Sequence, residues 1–193
     1  MTTWHWVRHG PTHEQSLVGW RDVPADLSDK AQIARLNAHL PNGAFLVSSD
    51  LIRAIATADV LAHPERQRLP HQSDFRELDF GLWDGMLARD VSRQHPELSQ
   101  AYWTTPGDVA PPEGESWNAA SRRINAAVDK LNADHPNADI IAVAHFGVIL
   151  TQVQRALNVS AKDTMANKID NLSATQISVT NAEWKVVQIN HSP

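Results

Sequence analysis

The chain has 193 residues, 42% of them hydrophobic, and a formal net charge of -5, so it can bury one sizeable core, and residues 1–193 read as a single domain. A charged fraction of 20% with no basic excess gives no general field for nucleic acid or an anionic membrane, so an anionic ligand has to be attracted locally. The absence of cysteine excludes disulfides, thiolate catalysis and cysteine-based metal sites; no apolar run reaches the ~18 residues that span a bilayer and no leader pattern opens the chain, so a soluble, cytoplasmic protein is expected.

In chain order, Trp4 to Val7 is a short, nearly continuous apolar run of the kind found in strands covered on both faces. It feeds Arg8-His9-Gly10-Pro11 and a loop from Gly10 to Leu27 that is long for a strand-to-helix connection. Ser28 is the expected cap of a helix carrying Ile33, Leu36 and Leu40, which stops at Pro41-Asn42-Gly43. A second strand, Ala44 to Val47, leads to a helix carrying Leu51, Ile55, Ala58 and Leu61, capped by Ser49 or Asp50. The segment at about 82–114, with Trp83, Tyr102, Trp103 and a Pro-rich run, reads as an insertion over one end of the sheet. A helix opening near Glu115 or Ser116 repeats Trp117, Ala120, Ile124, Val128 and Leu131 at helical spacing before Pro136. Asp139 to Ala144 is a third apolar strand, residues 146–157 read as a buried helix, and residues 175–180 and 183–190 as two final strands joined by a short turn. This alternation predicts an α/β fold, a three-layer α/β/α sandwich with a mostly parallel central sheet and a late antiparallel part.

In such a sheet the carboxyl ends of the parallel strands share one edge. Three groups fall there: Arg8-His9, the run from Ser48 to Arg53, and His145. Arg53 lies in the first turn of its helix, where free N–H groups and the dipole favour an anion. Arg8 and Arg53 offer planar forks for phosphoryl oxygens, and the two histidines add a nucleophile and a donor. Glu77 and Asp79, just ahead of an aromatic-glycine turn, are candidates for the proton source that a leaving alkoxide needs. The other histidines show no HExxH or H-x-H spacing, so neither a metal site nor a cofactor is expected. His13 lies in the long loop, near the expected site. Trp20, Trp83 and Trp103 are candidate pocket walls, although among seven tryptophans core packing is the commoner role.

Six segments in order, VRHGPT (7–12), GWRDVPADLS (19–28), SSDLIRAIATA (48–58), FRELDFGLWDG (75–85), PPEGESW (111–117) and VAHFGVI (143–149), resemble the histidine phosphatase superfamily, the phosphoglycerate-mutase-like phosphatases. The resemblance covers nearly the whole chain. It implies that His9 is the nucleophile that becomes phosphorylated, that Arg8, Arg53 and His145 hold the phosphoryl group, and that Glu77 rather than Asp79 is the general acid and base. It further implies that Thr12, Gln15, Gly19 and Phe146 contact the substrate. The sequence departs from the family's pattern at Pro11, Gln15, Ala31 and Phe146, where Glu, Asn, Gly and Gly are common; the core set is intact and the shape of the pocket is left open. Residues 82–114 are few, and their basic residues, Arg89, Arg93 and His95, are not adjacent, unlike the Arg-Arg pair of the mutases. The chain is therefore similar to small phosphatases of the α-ribazole phosphatase type. The expectation is a metal-independent phosphomonoesterase acting on a small phosphorylated metabolite, with a phosphoglycerate-mutase-type transferase or a non-catalytic phosphate-binding domain as alternatives. No nucleic-acid or membrane partner is expected, and the oligomeric state is open.

Overall fold

Strands β1 (Thr2–Arg8), β2 (Phe45–Ser48), β3 (Gln67–Arg68), β4 (Asp139–Ala144), β5 (Ala174–Thr180) and β6 (Glu183–His191) form one sheet in the spatial order β3-β2-β4-β1-β5-β6 in the computed structural model, which describes residues 1–193. β1 pairs in parallel with β4, and β2 with both β4 and β3, whereas β5 runs antiparallel to β1 and to β6. The mostly parallel sheet with a late antiparallel part is as expected; β3, at two residues, is too short to leave a pattern in the sequence.

Side-chain alternation along the two central strands builds the layers. On one face Trp4 and Trp6 of β1 and Ile140, Ala142 and Ala144 of β4 pack with Ile124 and Val128 of helix α5 (Trp117–Asp134) and Ile149 and Val153 of helix α6 (Phe146–Leu157). The opposite face presents Val7, Ile141 and Val143 to Ile33 and Leu36 of helix α1 (Lys30–His39) and Ala54 and Ala58 of helix α2 (Ile52–Val60). The Trp4 and Trp6 rings stack at 4.9 Å, with Phe75 edge-on to Trp6 at 5.3 Å, so the aromatic payload sits on the α5/α6 side. The insertion folds as helices α3 (Ala88–Gln94) and α4 (Pro96–Thr104), and a short helix α7 (Ala161–Thr164), not anticipated from the sequence, follows α6. No helix is long and apolar enough to cross a membrane.

Ser116 caps α5 as expected, accepting from Ala119 N–H at 3.2 Å. Two other expected caps are corrected. Asp29, not Ser28, caps α1, its carboxylate accepting from Gln32 N–H at 2.9 Å. Neither Ser49 nor Asp50 caps α2: its Ile52 N–H is taken by Asp22 of the long loop at 2.7 Å, while Asp50 makes a two-pronged bond to Arg76 at 2.8 and 2.6 Å. A guanidinium fork outcompetes a backbone N–H for that carboxylate because both partners carry full charge.

The carbonyl ends of α1 and α2 share one buried side chain. Arg66 donates to the carbonyls of Asn37, Leu40 and Leu61 at 2.7 to 2.9 Å and to Pro41 at 2.9 Å, supplying donors that both helix ends lack. Arg66→Ala is expected to lower the urea unfolding free energy by roughly 2–4 kcal/mol, because several buried acceptors lose their partner at once; a loss below ~0.5 kcal/mol would show that these bonds do not hold the helix ends.

Candidate active site

Arg8 stands opposite Ala144 in the β1/β4 register, so the next residues, His9 and His145, leave the sheet together. His9 N–H donates to the Ala144 carbonyl at 3.1 Å, and the two imidazole centres are 5.0 Å apart. Arg8 is anchored by a 2.6 Å bond from Nη1 to the Ile169 carbonyl, with its guanidinium 5.4 Å from the centre of the Phe146 ring. Arg53, from the first turn of α2, is 0% exposed and donates to the Arg21 carbonyl at 3.0 Å and the Gly19 carbonyl at 2.7 Å. Glu77 closes the set: its Oε1 accepts from Leu78 N–H at 3.0 Å and from Gly147 N–H, in the first turn of α6, at 2.9 Å. A cavity of about 260 Å³ joins Arg8, His9, Arg53 and Glu77.

The histidine tautomer follows from its partner. His9 Nδ1 lies 2.7 Å from the Gly10 carbonyl, which can only accept, so Nδ1 carries the proton and Nε2 presents a bare lone pair. Burial first, then the Arg53 and Arg8 charges, pushes the His9 pKa down to about 3, against the opposing pull of the Gly10 carbonyl. His145 is held well below the ordinary range by burial, followed by His9 and Arg53, and neither of its ring nitrogens has a protein partner. Burial pushes the Glu77 carboxyl up, opposed by the Leu78 and Gly147 N–H groups and by Arg53 and Arg8. The arrangement therefore holds a neutral imidazole, two guanidiniums and a carboxyl biased toward keeping its proton.

The sequence pattern of the histidine phosphatase superfamily (branch 1) matches residues 5–192. The chain belongs to this superfamily. It is 30% identical over 141 residues to a Mycobacterium tuberculosis protein described as bifunctional, a match covering 73% of this chain; the chain spans only 36% of that relative's length. It is 28% identical over 163 residues to the adenosylcobalamin/alpha-ribazole phosphatase of Salmonella typhimurium, covering 80% of this chain and 79% of that protein. A mycobacterial glucosyl-3-phosphoglycerate phosphatase solved with VO3 superimposes with a TM-score of 0.86 at 25% identity, covering 98% of this chain and 99% of the other.

Against the superfamily pattern, the structure brings Arg8, His9, Arg53 and Glu77 to one cavity, with Thr12 and Phe146 in its wall. His145 touches the His9 side of this set but is fully buried and contributes no wall. Gln15 is exposed and outside the cavity; Gly19 is buried and works through its backbone, giving its N–H to Asp84 at 3.1 Å and its carbonyl to Arg53. Asp79 is a turn residue that accepts from Gly81 N–H at 2.9 Å. His13 points away from the cavity to Asp26 at 2.7 Å, Trp83 is core, and of the three tryptophans considered only Trp103 forms a wall. Trp20 instead donates to the Glu77 carbonyl at 2.7 Å, alongside Arg123 at 2.8 Å, which fixes the backbone behind the carboxyl.

Several contributors escape sequence reasoning. Thr57 accepts from Gly10 N–H at 3.0 Å and donates to the Arg53 carbonyl at 2.7 Å, and only its place one helical turn after Arg53 hints at this. Asn171 donates to the His9 carbonyl at 2.8 Å with no local signal at all. A Cβ on Gly147 would come within 2.5 Å of Glu77 Oε1, and one on Gly10 within 2.9 Å of the Asp26 carbonyl, so both glycines serve close approach rather than an unusual backbone angle.

Histidines buried neutral make stability depend on pH. The unfolded chain takes up protons near pH 6.5 that folded His9 refuses until about pH 3, so stability is full above 6.5 and falls as the pH drops below it. The limiting slope is about 1.4 kcal/mol per pH unit for each such histidine. Urea unfolding of wild type is expected to weaken between pH 7 and 5, with a shallower decline in His9→Gln; parallel declines would contradict a neutral buried His9.

Proposed function

We propose that the protein hydrolyses a phosphomonoester of a small metabolite through a phosphohistidine on His9, with Glu77 as general acid and then base. The observation that carries the reading is the bare Nε2 of His9 in the same cavity as the Arg8 and Arg53 guanidiniums and a buried, proton-biased carboxyl. The phosphatase names of the Salmonella and mycobacterial relatives favour hydrolysis over transfer to a second hydroxyl.

In the first step Nε2 attacks phosphorus in line with the departing oxygen; the N–P bond forms as the P–O bond to the alcohol breaks, and Glu77 delivers its proton to that oxygen. Charge spread over the three equatorial oxygens is met by Arg8 and Arg53, the two guanidiniums that line the cavity. Water then attacks the phosphohistidine, gives its proton to the Glu77 carboxylate, and releases phosphate with His9 neutral again. Two guanidiniums provide the charge neutralisation that a divalent ion provides elsewhere, so activity is expected to survive a chelator.

The test uses a nitrophenyl phosphate, whose leaving group needs no proton, and an alkyl phosphate, whose leaving group does, both with chelator present. His9→Ala is expected to abolish turnover of both. Glu77→Gln is expected to lose about 10²–10⁴-fold on the alkyl ester and less on the nitrophenyl ester, with thermal stability equal to or above wild type because a desolvated carboxyl has been removed. Turnover surviving in His9→Ala would remove the nucleophile, and equal losses on both esters would remove Glu77 as the acid.

A further inference from the structure

Arg8 and Arg53 are the only cationic side chains lining the cavity, and both stand at the His9 end. The remaining wall includes Phe80, Trp103, Trp117, Phe146 and Met165, and its one charged group beyond Glu77 is Glu14. Glu14 is partly exposed, with 36% of its side chain open to solvent, so it stands where the cavity meets water. Its Oε2 accepts from Ser16 Oγ at 3.0 Å and Arg21 Nη2 at 3.1 Å, bonds that hold the carboxyl below the usual range and therefore ionised.

Arg21 does not cancel this charge. It also faces Asp84, with Nε 3.6 Å from Oδ1, while Asp84 accepts the N–H groups of Gly19 and Arg21 at 3.1 and 2.8 Å. Glu14, Arg21 and Asp84 together leave one net negative charge at the rim. A substrate's phosphoryl group satisfies the two lining guanidiniums, and a second anionic group on the same molecule would meet no further lining cation and a rim where Arg21 is already committed to Glu14 and Asp84.

We infer that Glu14 selects the leaving group: the site takes phosphomonoesters of apolar or aromatic alcohols, favours those bearing an ammonium group, and rejects those bearing a carboxylate or second phosphate. The substrate class rests on the phosphomonoesterase reading. The aromatic walls act in the same direction, since ring faces attract a cation and bury an apolar group without demanding hydrogen bonds.

Three phenyl phosphates that differ only in an aminomethyl, hydroxymethyl or carboxymethyl substituent test this, with kcat/KM measured in wild type, Glu14→Gln and Glu14→Lys; comparing variants ester by ester cancels differences in intrinsic reactivity. Wild type is expected to prefer ammonium over neutral over carboxylate. Glu14→Gln should compress the ammonium-to-carboxylate ratio by roughly fivefold, the scale of a partly exposed ion pair, Glu14→Lys should invert it, and added salt should compress it in wild type. A ratio unmoved in both variants overturns the proposal. The matching non-hydrolysable arylmethylphosphonates, titrated by calorimetry, separate the two readings: charge-ordered binding without turnover of any ester keeps the selection and removes the phosphatase, whereas turnover with an unmoved ratio does the reverse.

Discussion

The 3.1 Å hydrogen bond from His9 N–H to the Ala144 carbonyl ties the end of β1 to the end of β4, and the site is assembled around that bond. Strand register is what sets it. With Arg8 opposite Ala144, the residues that follow both strands emerge together, so His9 and His145 meet although they lie far apart in the chain. A slip of one residue in β1 would send Trp4 and Trp6 to the α1/α2 face and break the stacked aromatic core on the other. Core packing and the aim of the imidazole are thus one constraint, and a change that loosens the first misdirects the second.

Around this fixed pair, the charged groups are held mainly by backbone dipoles. Arg53 donates to the Gly19 and Arg21 carbonyls, Arg8 to the Ile169 carbonyl, and Glu77 accepts from two N–H groups. Other guanidiniums are paired with carboxylates, as in Arg76 with Asp50 and Arg123 with Glu115, although Arg66, at the helix ends, is also held by carbonyls. Under the proposed reaction this difference matters. A carboxylate partner would spend the cation's field on a neighbour, whereas a carbonyl fixes its direction and leaves most of the charge for a phosphoryl group. The cost is desolvation, visible in the opposite shifts of His9 and Glu77, each of which favours the uncharged form.

The sequence carried the parts of this account that are local. The runs at β1 and β4 show two buried faces, and the Arg8-His9, Arg53, Glu77 and His145 segments each carry enough flanking pattern to be found. Side-chain competition was not local: Asp50 looked like a cap until Arg76, distant in sequence, claimed it, and Asp22 replaced it from a loop with no periodicity. The same reason hides Asn171 and Ile169, which reach the site only because the chain after α7 passes beneath β1's end. The exposed position of Gln15 and the backbone bonds of Gly19 to Asp84 and Arg53 depend on the path of the long loop, which leaves no periodic pattern in the sequence.

The central claim is that His9 is phosphorylated at Nε2, the nitrogen left free when Nδ1–H is held by Gly10. Rapid quenching during turnover, followed by locating the phosphoryl group by mass spectrometry and fixing its ring position by phosphorus–nitrogen NMR, reads this directly. The account predicts an acid-labile phosphoryl group on His9 Nε2. A phosphoryl group on His9 Nδ1, on His145 or on any other residue would contradict it.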